Sequence, residues 1–521
     1  MAASLTPSIF NDVIGPVMRG PSSSHSAASV RIGLLVHDLC GGVPDVVALD
    51  YDSMGSLATT HQSQGTDMGL YGGLLGWAAD DERLPHSPAE LAGRGTEITI
   101  RKPELHDEHP NTYRIHVERG DESHDLIALS TGGGMIEVIE IDGRSVSLFG
   151  DYAVTLIVTD GSGEVAASPF RDDDFVDEVT VSGDLVIACS QKPLELDHVE
   201  QRLSGNEVVR IHQLRRVLPV GSRRGMSVPF DHAGELTDPD LLDERPLSDW
   251  ALAYEAARGG ITEHEVLAQA RFILGIMRRG VDTGLAGTEY EDRILGWQSG
   301  RYSDMAAGGQ LLDGGLLNRM IPYVTALMEA KSAMEVIVAA PTAGACATFP
   351  GALLATVDDV DAAPDVAERA LLTGGLIGVF ITNRSSFAAE VGGCQAETGA
   401  GAAMAAASIV ELAGGTAAQS LSAASQSLQN VLGLVCDPVG NRVEAPCLGR
   451  NVTGAANALS CANMALAGYD HLIPLDEVID AHRQVSEMMA RELRCTGLAG
   501  LAATPTAQRI ELGLTRRSAG Q

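Results

Sequence analysis

The spacing of apolar residues changes near Trp250, and this change constrains the fold more than any other feature of the chain. Before it, segments that alternate apolar and polar residues are mixed with amphipathic segments, which predicts an α+β fold. After it, runs with helical spacing, such as 263–279 and 365–382, follow one another almost to the end. The sequence therefore predicts several domains, the last of them all-α.

We place the domain boundaries where Gly, Pro and Asp interrupt these patterns. Residues 1–150 are predicted to form an α+β domain, 151–220 a small α+β module, 221–249 a linker and 250–521 the helical domain. In the first domain we expect helices over 26–39 and 68–77, and strands over 46–51, 97–101, 112–117, 135–141 and 146–149.

The charge balance excludes one class of partner. The chain has 69 acidic and 36 basic residues, a formal net charge of −33, and such a field repels the phosphates of nucleic acids. No secretory signal is visible, and the longest apolar run, 370–381, is too short to span a bilayer. We therefore expect a cytoplasmic protein without a membrane partner, whose eight cysteines are thiols or metal ligands.

Lysines are rare, which bears on the cofactor. Only Lys102, Lys192 and Lys331 could form the Schiff base that pyridoxal phosphate requires. None of them lies in an obvious cofactor loop. The sequence therefore predicts that pyridoxal phosphate is not used.

A serine-rich segment precedes the first predicted helix. Ser22, Ser23 and Ser24 offer hydroxyls, and a helix N-terminus offers backbone N–H groups, which together could bind a carboxylate. His25 could add a charge or a proton. An ordinary serine-capped turn is the alternative.

Two further loops are candidates for ligand contact. Gly132 and Gly133, within the predicted loop 130–134, could let a ligand approach bare backbone, or could simply form a turn. The segment Gly65-Thr66-Asp67 precedes a helix and follows His61 and Gln64. There Asp67 could be a helix cap.

Three cysteines lie at breaks between predicted helices: Cys394, Cys436 and Cys447. A helix N-terminus favours the thiolate, the form that iron or zinc binds. Their spacings of 42 and 11 residues match neither a zinc ribbon nor a ferredoxin run, so three unrelated buried thiols remain an alternative. We interpret Cys40, Cys189, Cys346 and Cys461 as core residues and leave Cys495 unassigned.

These segments together resemble the iron–sulfur-dependent bacterial L-serine dehydratases. Residues 10–150 are similar to the β chain of the two-chain enzymes in IGPVMRGPSSSHSAASVRIGLL, HPNTYRI and GGGMIEVIEIDG. Residues 250–515 are similar to the α chain in AAPTAGACATFPGALL, GGCQAETG, GLVCDPVGNRVEAPCLGRN and GLAGLAATPT. The chain thus resembles a fusion of the two chains.

The resemblance implies that Cys394, Cys436 and Cys447 each bind one iron of a 4Fe-4S cluster whose fourth iron is open to substrate. An open iron is a Lewis acid for the β-hydroxyl, a poor leaving group. The implied reaction turns L-serine into pyruvate and ammonia, a lyase step of amino-acid metabolism and gluconeogenesis. We expect a homodimer. Its substrate is predicted to be a small amino acid bound by Ser22, Ser23, Ser24, His25, Gly65, Thr66, Asp67, Gly132 and Gly133.

One departure from the family concerns the catalytic base. The family pattern Gly-His-Gly-Thr-Asp is Ser63-Gln64-Gly65-Thr66-Asp67 here, so Gln64 replaces the histidine expected to take the α-proton. Glutamine cannot act as a general base. His61 or His25 could replace it, although His61 could equally be an exposed surface residue. Otherwise the substrate is another β-hydroxy amino acid, or the protein is a non-catalytic iron–sulfur sensor or binding protein.

A second departure concerns the module at 151–220, which resembles an ACT regulatory domain. Its first strand, 154–159, runs into Gly161-Ser162-Gly163 without the usual Arg-Pro-Gly turn. We expect the helix that follows this strand to be lost. The ACT-like module is therefore predicted to be degenerate, and regulation by an amino acid is not expected.

Overall fold

A computed structural model describes residues 6–203, 208–236, 242, 244–290 and 293–518. They form two compact units, one built from residues 25–227 and the other from residues 6–24 together with 228–518. Of the predicted linker, residues 237–241 and 243 lie outside the described residues. The predicted boundary at residue 150 falls inside the first unit.

The α+β unit contains a six-stranded sheet. Its strands, in spatial order, are Glu97–Arg101, Val46–Asp50, Thr112–Arg119, Glu122–Gly132, Met135–Ile141 and Arg144–Leu148. The first two are parallel and the others antiparallel. Most strands bury apolar residues on one face, as expected for a sheet covered on one side, whereas Ile98 and Ile100 of the edge strand Glu97–Arg101 are only partly buried. The helices of this part are Ala28–Leu39, Leu57–Thr60, Thr66–Leu74 and Ser87–Gly93.

The same unit contains a four-stranded antiparallel sheet. Its spatial order is Val208–Leu214, Ala153–Thr159, Leu185–Ser190 and Glu178–Ser182. Helix Gly163–Arg171 follows the first strand in the chain, and helix Leu196–Arg202 precedes the last. The resulting β-α-β-β-α-β order is that of ferredoxin-like modules.

The expected loss of the helix after this first strand is wrong. Helix Gly163–Arg171 is present, and it buries Ala166, Ala167 and Phe170. Glycine and proline are poor helix formers, and Gly163 and Pro169 weaken the local helical signal. Burial of the apolar face against the sheet decides the conformation here.

The second unit consists mainly of helices: Leu247–Gly259, Glu263–Ala286, Gln298–Ala307, Leu316–Ser332, Thr348–Asp359, Pro364–Arg384, Ala389–Gly392, Ala400–Leu412, Ala417–Gln429, Cys447–Leu466, Leu475–Met488 and Pro505–Ser518. Every residue of Ala400–Leu412 is buried, because this alanine-rich helix is packed against four others. Short 3₁₀ turns of this unit lie at Ala233–Glu235, Val439–Asn441, Arg491–Leu493 and Gly500–Ala503, and another, Leu84–His86, lies in the α+β unit. Among the described helices, none is both long enough and apolar enough to cross a membrane.

Residues 6–24 were predicted to begin the α+β domain, but they lie in the helical unit. The π-helical turn Ile9–Val13 is buried there, and Ser8 Oγ donates a hydrogen bond to Glu255 Oε1 at 2.5 Å. Strand Val17–Met18 then pairs antiparallel with Ile337–Val338. The helical unit is therefore not strictly all-α, and it takes its first segment from the other end of the chain.

Candidate active site

The three predicted metal ligands lie at helix breaks in the helical unit. Cys394 precedes the π-helical turn Gln395–Gly399, and Cys447 is the first residue of its helix. All three thiols are buried and outside any disulfide. Sγ of Cys394, Sγ of Cys436 and a carboxylate oxygen of Glu397 lie within 4.8 Å of one another.

A guanidinium group stabilises negative charge on this group. Arg450 Nη1 donates a hydrogen bond to Cys394 Sγ at 3.3 Å, while its Nη2 donates to Asp437 Oδ1 at 2.6 Å. The thiol of Cys436 also donates to Cys394, and these two contacts lower the pKa of Cys394 despite its burial. The same bond raises the pKa of Cys436. These contacts therefore favour the thiolate form of Cys394 over that of Cys436.

Cys447 is connected to the same region through Asn451. The Asn451 amide nitrogen donates to the carbonyl oxygens of Cys447 and Gly344, both at 2.9 Å, and its oxygen accepts the N–H of Thr348 at 2.9 Å. Burial raises the pKa of the Cys447 thiol, while the ammonium of Lys331 acts in the opposite direction. Asn451 thus fixes the first turn of the Cys447 helix against the segment 344–348.

The serine segment is connected through Ala343 and Thr342 to Glu397, which lies beside the cysteines. Ser22, Ser23 and Ser24 are buried in the helical unit, and Ser23 Oγ accepts a hydrogen bond from the N–H of Ala343 at 3.2 Å. The preceding residue, Thr342, donates through Oγ1 to Glu397 Oε1 at 2.8 Å. The structure therefore brings the predicted carboxylate loop and the predicted metal ligands into one region.

These serines do not cap the following helix. A π-helical turn, Ser23–Ala27, precedes helix Ala28–Leu39, and the residue at the N-cap position is Ala27. The predicted helix start at residue 26 is thus two residues early. The π-helical turn leaves the serine hydroxyls outside the capping position.

In the α+β unit, His61 is paired with a carboxylate. Its Nδ1 lies 2.8 Å from Asp67 Oδ2, and its ring is buried 5.5 Å from the ring of Tyr51. The alternative of an exposed surface histidine is therefore wrong. Asp67 is not a simple cap either, because the N-cap position of its helix is Gly65. A carboxylate on Nδ1 orients an imidazole and favours the tautomer with a free Nε2.

His25 is held in its neutral form. Its Nε2 is hydrogen-bonded to Thr60 Oγ1 at 2.8 Å, and burial, followed by the nearby His61, lowers its pKa to about 3. His25 is therefore uncharged at neutral pH, so that of the two predicted contributions, a charge or a proton, only the second remains a prediction. Gln64 is also buried, and its backbone carbonyl oxygen accepts a hydrogen bond from Ser26 Oγ at 3.1 Å. Thr66 is buried at the start of the helix that carries Asp67.

The predicted glycine loop is mostly strand. Gly132 ends strand Glu122–Gly132, and Gly133 and Gly134 form the hairpin turn with positive φ angles. Arg31 Nη1 donates to the carbonyl oxygen of Gly134 at 2.5 Å. The glycines at this position satisfy a tight turn, and ligand contact through Gly132 and Gly133 stays a prediction.

The helical half matches the family model "Serine dehydratase alpha chain" over residues 207–502, which is more than half of the chain. The chain belongs to the serine dehydratase alpha chain family. The prediction that it is an enzyme of the lyase class agrees with this membership.

Named relatives of both halves are similar to this chain. The probable L-serine dehydratase alpha chain of Bacillus subtilis (strain 168) is 40% identical over 282 residues, which cover 54% of this chain and 94% of the relative. The L-serine dehydratase alpha chain of Peptoniphilus asaccharolyticus is 37% identical over 274 residues, 52% of this chain and 94% of the relative. The probable beta chain of B. subtilis is 37% identical over 160 residues, 30% of this chain and 71% of the relative. These matches agree with the predicted β–α fusion.

The residues around the cysteines suit an iron–sulfur cluster. Thiolates are the ligands of such clusters, and hydrogen bonds to the sulfurs, like that from Arg450 to Cys394, tune them. Cys394, Cys436 and Cys447 offer three sulfurs. Cys495 adds a fourth thiol nearby, because its side chain contacts Cys436 and its N–H donates to the Cys436 carbonyl oxygen at 3.0 Å.

Sequence reasoning missed three residues of this site. Glu397 and Cys495 lie beside the predicted ligands. Lys331, which lies in no obvious cofactor loop, is fully buried, and its charge acts on Cys447 and Glu397. A sequence signal existed for Lys331, since it is the only lysine after residue 192. The motif GGCQAETG also contains Glu397, yet only its cysteine was interpreted.

Proposed function

We propose that the protein dehydrates L-serine to pyruvate and ammonia with a 4Fe-4S cluster at Cys394, Cys436 and Cys447. The observation that carries the proposal is the convergence of buried thiols with the Ser22–Ser24 loop in one unit. When bound, the cluster would supply a Lewis acid for the β-hydroxyl. Family membership supports the same reaction, because the relatives named above are L-serine dehydratase chains.

The residues of the helical unit have distinct parts in this proposal. Ser22, Ser23 and Ser24 bind the substrate carboxylate. Arg450 stabilises the thiolate of Cys394, and Asn451 positions Cys447. The surrounding side chains are buried, so the site is separated from bulk water, which strengthens each of these electrostatic contacts.

In the α+β unit, the His61–Asp67 pair is the proposed acceptor of the α-proton. Asp67 orients the ring and stabilises the imidazolium that would form. His25 is unsuited to this part because burial keeps its pKa near 3. Gly65, Thr66, Gly132 and Gly133 are proposed as further contacts of the substrate.

The module that follows the six-stranded sheet is proposed to be ACT-like. The β-α-β-β-α-β order and the helix Gly163–Arg171 support this assignment. The turn at Gly161-Ser162-Gly163 still lacks the family's Arg-Pro-Gly sequence. We propose that the protein acts as a cytoplasmic homodimer on a small amino acid, without pyridoxal phosphate, nucleic acid or membrane.

The proposal is tested with anaerobically reconstituted protein. L-serine should give pyruvate and ammonia in equal amounts, measured in the same reaction. A panel with other β-hydroxy amino acids identifies the preferred substrate, which matters because Gln64 departs from the family pattern. If no member of the panel gives keto acid and ammonia while the cluster is intact, the protein is a non-catalytic iron–sulfur protein.

A further inference from the structure

Glu397 is a buried carboxyl group that lies between the cysteines and the Ser22–Ser24 loop of the helical unit. On one side, its oxygen lies within 4.8 Å of Sγ of Cys394 and Cys436. On the other, it accepts a hydrogen bond from Thr342, the residue before Ala343, whose N–H is bonded to Ser23. Neighbouring Cα atoms lie about 3.8 Å apart, so the carboxylate loop and the carboxyl group meet at one place.

The loop is shaped around this carboxyl group. A Cβ atom at Gly344 would lie 2.7 Å from Glu397 Oε1 and 2.8 Å from Oε2, so any side chain there would force the carboxyl group to move. Glycine is therefore required at residue 344 for the carboxyl group to occupy this position.

The buried carboxylate of Asp437, in the same region, is already paired. Asp437 accepts hydrogen bonds from Arg450 at 2.6 Å and from the N–H of Leu501 at 2.7 Å. Among the described residues, no arginine or lysine forms an ion pair with Glu397, and the charge of Lys331 acts on it from beyond ion-pair distance. A cation bound directly at this carboxyl group would form a charge-assisted hydrogen bond, which is stronger than a neutral one.

We infer that Glu397 binds the α-ammonium group of the amino-acid substrate, an inference that rests on the function proposed above. An α-amino acid carries its carboxylate and its ammonium on neighbouring atoms, and the site offers the Ser22–Ser24 loop and Glu397 side by side. The β-hydroxyl of the same molecule then points toward the cysteines. This arrangement selects β-hydroxy amino acids over hydroxy acids that lack the amino group.

The test uses two unreactive probes that differ in the ammonium group. L-alanine carries both the carboxylate and the ammonium, whereas propionate carries the carboxylate alone, and neither can lose water. Equilibrium dialysis of the anaerobic holoprotein should show L-alanine affinity falling about 10- to 100-fold in Glu397→Gln, the loss expected for one charge-assisted hydrogen bond. Propionate affinity should not change. Iron and sulfide content should equal that of the wild type.

Glu411→Gln is the matched control. Glu411 is a buried carboxyl group of the same unit that accepts hydrogen bonds from Ser248 and Thr373, and its replacement should leave both affinities unchanged. If Glu397→Gln fails to fold, Thr342→Val takes its place, because it removes the hydroxyl that orients the carboxyl group. In that variant, too, only L-alanine affinity should fall.

Several results would overturn the inference. Loss of iron from Glu397→Gln would make Glu397 a metal ligand, and equal losses for both probes would indicate general disruption. If Glu397→Gln leaves the L-alanine affinity unchanged but abolishes exchange of the Cα hydrogen with deuterated water, Glu397 is a proton acceptor. Failure of the proposed function is distinct, since the wild type would then hold no cluster or release no pyruvate.

Discussion

The ammonium group of Lys331 donates a hydrogen bond to the carbonyl oxygen of Val443, in the segment that joins Cys436 to Cys447. Lys331 lies in the last turn of helix Leu316–Ser332 and is fully buried. Its charge faces the thiol of Cys447 and the carboxyl group of Glu397. A buried ammonium is costly unless negative charge lies close to it, and thiolates that bind a metal would supply that charge.

We therefore predict that Lys331→Met weakens metal binding to the cysteines. The metal-free protein should bind Co²⁺, a probe with a strong thiolate absorption band, about 10- to 100-fold less tightly than the wild type. Lys102→Met, at an exposed position of the α+β unit, serves as the control. Equal Co²⁺ affinities in the two variants would show that the Lys331 charge does not support the site.

Replacement of the proposed ligands should abolish the cluster. Each of Cys394→Ser, Cys436→Ser and Cys447→Ser removes a thiolate, whereas Cys189→Ser alters a core thiol of the α+β unit. Anaerobic iron and sulfide analysis should give about four irons per chain in the wild type and in Cys189→Ser. An intact cluster in Cys436→Ser would contradict the ligand assignment and favour Cys495, its neighbour, as the replacement ligand.

His61→Ala should slow turnover without disturbing the cluster. Loss of a general base costs about two to four orders of magnitude in rate, and the absorption spectrum should stay that of the wild type. Asp67→Asn should slow turnover as well, because it removes the group that orients the ring. If His61→Ala has no effect while Gln64→His raises serine dehydration strongly, the natural substrate is not L-serine.

The attachment of residues 6–24 should depend on pH through Glu255. Burial raises the pKa of Glu255 from 4.5 to about 7, so between these values the folded protein binds a proton that the unfolded chain does not. Stability from this residue is therefore greatest below pH 4.5 and falls as pH rises to about 7, by about 3 kcal/mol at most.

The measurement is hydrogen exchange of the amides of residues 9–14, corrected for the intrinsic dependence of exchange on pH. Protection should fall between pH 5 and 7 in the wild type. Glu255→Gln should flatten this dependence, because an amide does not titrate. Its single oxygen can accept the N–H of Ile9, while its NH2 group can donate to Ser8 Oγ. Glu263→Gln, at an exposed position, should behave like the wild type.

Much of the site was predictable where the signal is local. Cys394, Cys436 and Cys447 stand at helix breaks, and the motifs around them identify the family. The site residues that were missed depend on contacts between distant positions, since Lys331 is 112 residues from Val443 and Glu397 is 55 from Thr342. No periodicity or propensity in either segment carries information about such pairs.

The fold shows the same division between local and distant signals. Strands Glu97–Arg101 and Met135–Ile141 have the predicted bounds. The first alternates polar and apolar residues, and the second is rich in β-branched and apolar residues. The longest described strand, Glu122–Gly132, was not predicted, because residues 122–125 are all polar and 126–129 are all apolar, so no alternation marks it. Residues 6–24 read as the start of the first domain, and only their burial in the helical unit shows otherwise.

The pairing of Val17 with Val338 also sets a delay during synthesis, because the two residues are about 320 positions apart. A ribosome that adds about 5–20 residues per second needs roughly 16–64 s to make the partner strand after the first has been translated. Throughout that interval the apolar segment around Phe10 has left the ribosome without its binding surface. The nascent chain thus presents this hydrophobic stretch until the partner strand has been made, and chaperones that recognise such stretches should associate with it during that interval.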